Sequence, residues 1–528
     1  MDRHSSRPNT YDRRMKTTAC AALVLAALPP LADAQTAPAE ARTVEQRQQD
    51  LEKRVAEQDQ RIRELERMLQ EALGTRAGAG PAPAAPAPSA AGATQMEAAS
   101  SANAPAAGTA RAPEPVIPAA TVSKPADNPG PDYIGNLGFK IYESDKGQIY
   151  MRLFSYARYL NQKGLDPTYT DSFGTVKTVP LRQDFQLQKF FLPFSGWFLD
   201  PKFRYYLYVW SANTAQGDPA QVVGAGNLSW VFNEHATLGM GITSLPGVRS
   251  TEGQFPYWLG VDDRMTADEF MRPSYSTGVW LKGSIVPGLN YMGMLATNMS
   301  ILGVSASQID NKIDTYSLML NWLPTTKEFG PIGAFGDFEN HQEVATRVGI
   351  HYTHSTENSQ EQPGSETIEN TQIRLTDGNQ IFTPNLFGPG IQVEDVRYQM
   401  ASLDAGIKYL GYALEAEYYW RHLSDFSGPG VTPGLIDEID DTGYQVQASA
   451  MLVPKLFQVY AGYSEIQGPF GDSNELRGGF NYFPQRMRGI RVNGEYLRLD
   501  DIPVGYTAVP YPVGGNGDVF HLNFELNF

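Results

Sequence analysis

Cysteine is almost absent: Cys20 is the only one among 528 residues, and only seven histidines occur. One thiol builds no disulfide framework. Long apolar runs are missing as well. Mean hydropathy is −0.35, and the only continuous apolar run, Ala19 to Leu28, is too short to cross a bilayer as a helix. No Ser-His-acid arrangement or glycine-rich phosphate loop is evident, so no catalytic residue and no cofactor is expected. Positive charge is in deficit, with 42 Lys and Arg against 58 Asp and Glu and a net charge of −16. Such a chain is a poor nucleic-acid binder.

The short apolar run follows Arg13, Arg14 and Lys16 and precedes Ala32-Asp33-Ala34, a small-x-small site. Residues 1–34 therefore read as a secretory signal peptide, with cleavage expected before Gln35 and Met15 an alternative start. Cleavage removes Cys20, and the loss of five basic and three acidic residues moves the net charge from −16 to −18.

Two further segments precede the main body. Residues 44–73 carry a heptad, with Val44, Gln48, Leu51, Val55, Gln58, Ile62, Leu65, Leu69 and Ala72 in the seam. Glu45, Glu52, Asp59 and Glu66 fall at e, and Arg47, Arg54 and Arg61 at g, the segregation that parallel pairing needs. A coiled coil implies self-association; the other reading is a solvated single helix held by i,i+4 pairs. Residues 74–130 are dominated by Ala, Pro, Gly and Ser and read as an extended linker, because they offer little apolar surface to offset the entropy of ordering.

From about Tyr133 the composition turns to Tyr, Phe, Trp and Gly in alternating patterns. The last stretch is the clearest. Phe520, Leu522, Phe524, Leu526 and Phe528 share one parity, and His521, Asn523, Glu525 and Asn527 the other. A strand sends these sets to opposite faces, one wholly apolar and one polar. Sixteen such strands are expected, at 147–160, 181–198, 202–212, 226–234, 236–245, 274–286, 289–300 and 312–323, then 343–355, 398–410, 412–423, 441–453, 456–466, 474–484, 488–500 and 517–528. An earlier alternating piece, Tyr133 to Tyr142, is expected to plug the barrel or lead into it. The connections alternate. Long segments at 161–180, 213–225, 246–273, 356–397 and 424–440 face short turns at Asp200-Pro201, His235, Pro287-Gly288, Gly411 and Pro454-Lys455. That rhythm belongs to transmembrane barrels, with short turns at one rim and long loops at the other. Pro324–Gln342 breaks it, being long on the short side. The expected fold is all-β: a transmembrane antiparallel β-barrel of about sixteen strands over residues 131–528, preceded by a coiled coil and a linker.

A sixteen-stranded barrel encloses an aqueous bore, so inward charges bear on what passes. Alternation places Arg152, Arg158, Lys202, Arg204, Lys282, Arg347, Lys408, Arg421, Arg477 and Arg491 on the inner face, together with His351, Glu415, Glu417, Glu475 and Glu495. Three residues further along the same strand, His354 faces the other way, so this pair would not share a metal. The basic excess favours anions, unless these groups merely solvate the wall or pair with its carboxylates. The long segment 246–273 carries Arg249, Asp262, Asp263, Arg264 and Arg272 and is a candidate constriction.

Three stretches resemble the phosphate-selective porin O and P family: Val261–Gly283 (VDDRMTADEFMRPSYSTGVWLKG), Gly333–Ser355 (GAFGDFENHQEVATRVGIHYTHS) and Leu403–Leu423 (LDAGIKYLGYALEAEYYWRHL). The resemblance covers about Gly147 to Phe528, and the terminal Phe528 also resembles the assembly signal of bacterial outer-membrane proteins. It implies a trimer of sixteen-stranded barrels that pass phosphate through a basic constriction. Where the resemblance leads one to expect arginines, this sequence has Gln186 and Gln188 in FQLQKFF, Phe185–Phe191. The function expected is passive diffusion of small hydrophilic solutes, chiefly anions such as phosphate, in contact with outer-membrane lipid and with the coiled coil in the periplasm. Two rivals stand beside it: a structural tether acting through the coiled coil, and a channel for neutral solutes such as saccharides.

Overall fold

The computed structural model describes residues 133–134, 138–212, 221–252, 257–299, 312–359, 373–505 and 509–528. The expected signal peptide, coiled coil and linker lie outside the described residues.

Strands account for nearly every element. They begin with β1 (Tyr133–Ile134), β2 (Gly138–Ser144), β3 (Gly147–Met151), β4 (Phe154–Leu165) and a small hairpin, β5 (Thr168–Thr170) with β6 (Val176–Thr178). Next come β7 (Gln183–Phe198), β8 (Asp200–Ala212), β9 (Gln221–Asn233), β10 (Ala236–Ser244) and, after an inward segment, β11 (Tyr275–Val286) and β12 (Leu289–Ala296). The series continues with β13 (Thr315–Trp322), β14 (Ala345–Asn358), β15 (Asp395–Tyr409), β16 (Tyr412–Ser427) and β17 (Glu438–Val453). It finishes with β18 (Phe457–Gln467), β19 (Ser473–Tyr482), β20 (Ile490–Asp500) and β21 (Gly517–Asn527). The inward segment holds a 3-10 turn, Arg249–Thr251, and one short helix, α1 (Thr266–Met271).

Each strand from β7 to β21 pairs antiparallel with the next, and β21 closes on β4 with Asn523 opposite Arg158 and Leu522 opposite Tyr159. With β4 the closed sheet has sixteen strands, so the cylinder formed by the described strands has no open edge of its own. The first expected strand is in fact two. β3 and β4 lie end to end along β7, with Met151 opposite Phe194 and Phe154 opposite Phe191. The piece around Tyr133–Tyr142 does not plug the bore. Its β2 pairs with β3 and continues the wall where β21 stops, and there the Phe139 and Phe528 rings meet edge to face at 5.9 Å.

Alternation sorts the side chains as a barrel requires. Leu207, Val209, Leu238, Met240, Leu318, Leu320, Ile350, Leu403, Leu414, Leu476, Leu522 and Phe524 are all exposed on the outer face. Trp322, Tyr409, Tyr412 and Tyr482 gather toward the short-turn rim, and Tyr316, Trp420 and Tyr496 toward the long-loop rim. An apolar belt of this extent is stable only against hydrocarbon, and aromatic girdles mark its two interfaces. Among the described residues no helix is long and apolar enough to cross a membrane; the strands do so instead.

Candidate functional site: the barrel interior

The inner faces of β14 to β21 and of β4 are buried, because two segments fold into that half of the barrel. The first is the connection from β10 to β11. Its described residues enter at Leu245 and turn at Arg249–Thr251 beside β14 and β16, and residues 257–274 lie along β4, β19 and β20, form α1 and return through Arg272. Charged pins hold it at both ends. At the first, the Arg249 guanidinium donates to Glu415 Oε1 of β16 at 2.5 Å and to the Ala334 carbonyl at 2.8 Å, while its backbone N–H donates to Glu417. Nearby, Arg347 of β14 forks between Glu252 Oε1 at 2.5 Å and Asp404 Oδ1 at 2.5 Å. His351 faces the Pro246 carbonyl with Nδ1 at 2.9 Å and Asp404 with Nε2 at 3.0 Å. Gly349 makes this possible: a Cβ there would fall 1.8 Å from Asp404 Oδ2. At the second end, Asp263 meets Arg477 and His521, and Glu475 accepts from the Thr266 N–H and hydroxyl.

The second segment is 324–344, the connection that breaks the loop rhythm. It enters from the short-turn rim. Phe335 packs with Trp258, Leu259 and Tyr460, and Phe338 with Met451 and Phe483. Lys408 donates to the Phe329 carbonyl at 2.8 Å, and Glu415 accepts from the Gly336 N–H at 2.9 Å. Asp337 accepts from Gly411 N–H and His341, and Arg488 pairs with Glu339. Length without a turn's composition was the signal. Phe329, Phe335 and Phe338 give this stretch an apolar content that an exposed turn has no use for.

Loops at the opposite rim fold over the same half. Ile373, Leu375, Ile381, Phe382, Leu499, Ile502 and Tyr511 join the main core. Asp171, between β5 and β6, accepts from Thr175 and Asn379 and pairs with Lys177. Burial alone would lift its carboxyl, but these donors outweigh burial and hold it below the ordinary carboxylate range.

The ten basic residues read onto the inner face divide into two sets. Seven are buried. Arg152 donates to Asn527 and Tyr257, and Arg158 to Asn523 and the Val261 carbonyl. Arg347, Arg421, Arg477 and Arg491 pair with Asp404, Asp441, Glu475 and Glu525 respectively, and Lys408 faces backbone carbonyls with Glu415 3.8 Å away. Their charge is spent inside the protein. The five loop residues Arg249, Asp262, Asp263, Arg264 and Arg272 are also buried. Asp262 accepts from Tyr156 at 2.6 Å and Lys189 at 2.5 Å, Arg264 lies over Trp258, and Arg272 grips Glu269 through two hydrogen bonds. The sequence reading left Asp404 and Asp441 out, although their parity places them inside, and it missed Lys189, whose parity matches the outward Phe185 and Leu187 and which a left-handed backbone (φ 48°) turns toward Asp262.

Lys202, Arg204 and Lys282 make up the other set. They stand on the inner parity of β8 and β11 and are exposed to solvent. Among the described residues no carboxylate forms an ion pair with any of them. On β7, Gln186 and Gln188 also point inward, in a chain from Gln188 to Gln186 to Asp184 with hydrogen bonds of 3.0 and 2.8 Å. The interior is thus a solid half, built on β14–β21 and β4, beside an accessible wall on β8–β11 whose charges, apart from Asp200 at the turn before Lys202, are positive. His351 points into the solid half, whereas His354 lies on the outer face against Tyr316.

Closed pairing, an apolar exterior and a partly hydrated interior define a sixteen-stranded transmembrane β-barrel. No family model and no curated protein matches the chain. Its backbone is similar to solved outer-membrane proteins. The outer membrane channel DcaP of Acinetobacter baumannii matches at 9% identity and a TM-score of 0.46, over 74% of this chain and 99% of that one. OmpT, an outer membrane protein of Vibrio cholerae in trimer form, matches at 11% and 0.45, over 72% and 100%. An anion-selective porin from Comamonas acidovorans matches at 11% and 0.42, over 72% and 100%. The fold assignment rests on the strand register, and these likenesses say nothing about the solute.

Proposed function

We propose that the chain is an outer-membrane porin through which small hydrophilic solutes diffuse passively, with anions, phosphate among them, preferred over cations. One observation carries this: beyond Asp200 at the turn that opens β8, every charged side chain exposed on the inner face of β8–β11 is basic, and none of these cations has a carboxylate partner in an ion pair among the described residues. Unpaired cations on a wall backed by low-dielectric protein raise the local concentration of anions and turn cations away. Phosphate has no privileged claim, because β7 offers Gln186 and Gln188 where a guanidinium fork would grip it best. In this reading the N-terminal coiled coil lies in the periplasm and joins three copies.

Reversal potentials across a planar bilayer in a KCl gradient test the proposal. A potential of the sign set by chloride is expected. A potential set by potassium contradicts it, and a silent barrel would favour the structural tether.

A further inference from the structure

On β7, Phe185 and Leu187 are exposed on the lipid face while Gln186 and Gln188 point inward. Continued alternation would send Lys189 to the lipid, where an ammonium is poorly tolerated. The strand breaks its period at that residue. Gln188 lies opposite Tyr156 of β4 and Phe191 opposite Phe154, so Lys189 and Phe190 together stand against Ser155 alone. Lys189 takes a left-handed backbone, φ 48°, and Phe190 becomes the next side chain exposed to lipid. A bulge of this kind re-aims a side chain. Here it turns a lysine from the hydrocarbon face into the barrel.

Inside, the ammonium meets Asp262 of the inward segment. Nζ lies 2.5 Å from Oδ1, and Oδ2 accepts from the Tyr156 hydroxyl at 2.6 Å. Asp262 is left-handed as well, at φ 48°. Two non-glycine residues thus adopt a costly backbone on either side of one ion pair, a strain that gathers where side chains must be aimed. The pair stands at the boundary of the packed half, because β7 has β4 on one side and β8 of the accessible wall on the other. Asp262 is covered, with 6% of its side chain exposed, whereas Lys189 keeps 17% exposed, and its Nζ lies 6.0 Å from the partly exposed Trp210 ring of β8. Other ion pairs between the inward segment and the wall, Arg249 with Glu415, Arg347 with Glu252 and Arg477 with Asp263, are covered at both ends. This one is open on its cationic side.

We propose that Lys189 and Asp262 are specificity-determining residues of the channel: the lysine presents a cation to the edge of the bore, and the aspartate packed behind it holds that charge in check. The inference rests on the anion reading given above and adds a second determinant to it. Lys202, Arg204 and Lys282 face the solute with no carboxylate paired to them, whereas at this edge the field is the small difference between two opposite charges. Charges backed by low-dielectric protein are felt in the water beside them. Taking away either member therefore tips the local field, one way or the other, while taking away both leaves it near its starting value.

Reversal potentials of the full-length protein and its variants, in planar bilayers under a KCl gradient, read this difference. Asp262→Asn should raise the chloride-to-potassium permeability ratio about threefold, and Lys189→Gln should lower it about threefold, the effect of changing the local potential by about one kT. The double variant, neutral again, should return to the wild-type ratio. Lys189→Arg keeps the charge and should not move it. All the shifts should shrink in 1 M salt, where the Debye length is about 3 Å. If Asp262→Asn does not insert, Lys189→Gln decides alone, and an unchanged ratio there overturns the proposal. Single variants that shift in the same direction overturn it too, as does a double variant as far from wild type as either single one. A wild-type channel that prefers potassium overturns the anion reading, while opposite shifts in the two single variants would still uphold the pair.

Discussion

Arg249 and Glu415 form a buried ion pair, Nη2 to Oε1 at 2.5 Å, that ties the inward segment to β16. The same guanidinium donates to the Ala334 carbonyl of the second inserted segment and lies 4.2 Å over the Phe335 ring. One side chain therefore joins wall, first insertion and second insertion.

Truncating it should be costly. Arg249→Ala leaves the Glu415 carboxylate buried without its main partner, a loss of about 3–5 kcal/mol for a pair of this kind. The expected outcome is a lower thermal transition in detergent together with flickering current. A variant with unchanged melting and quiet conductance would show that the pin contributes nothing to the packed half.

Phe335 should anchor the segment from the short-turn rim. Its ring packs with Trp258, Leu259 and Tyr460, so Phe335→Ala should cost about 3–5 kcal/mol locally. Because the damage falls on a connection and not on a strand, the barrel should still close. Protease accessibility of 324–344 should rise while the β-rich circular dichroism spectrum stays as it was.

Much of this was legible from period-2 alternation. Residues 517–528 and the sets around Leu403–Leu423 sort cleanly because each outer side chain meets hydrocarbon and each inner one meets polar groups. The packed half was not legible. Alternation assigns Arg347 and Lys282 to one inner face, yet says nothing of which meets water, since that depends on where a distant connection folds. Glu252 reaches Arg347 across 95 positions and Asp263 reaches Arg477 across 214, and no local pattern encodes such pairings. The break at Pro324–Gln342 was visible, and Phe329, Phe335 and Phe338 marked it as more than a turn; where it inserts was not legible, because its partners Trp258, Tyr460, Met451 and Phe483 lie far along the chain.

The outer belt should tolerate charge poorly. Leu522→Arg places a guanidinium on the lipid face of β21, where such a change costs about 2–4 kcal/mol near mid-depth. Folding into vesicles should shift by that amount in urea titrations. His521→Gln, one residue away but inside, should leave lipid insertion unchanged.

The long-loop rim should open with acid. The folded Asp171 carboxyl is held below its ordinary range, so its contribution is complete above the unfolded value and is lost as pH falls through the folded one. The contact with Lys177 and Asn379 should therefore persist at neutral pH and loosen only below about pH 4. Hydrogen exchange of residues 168–178 should rise there, and Asp171→Asn should abolish the pH dependence.

The division of the interior into a packed half and a hydrated wall is tested most directly by cysteine accessibility, in a background where Cys20 is replaced. Lys282→Cys should react with a charged methanethiosulfonate reagent added to an open channel and reduce its current, whereas Lys408→Cys, on the same inner parity but buried, should not respond. Rapid block through Lys408→Cys with silence at Lys282→Cys would contradict the account.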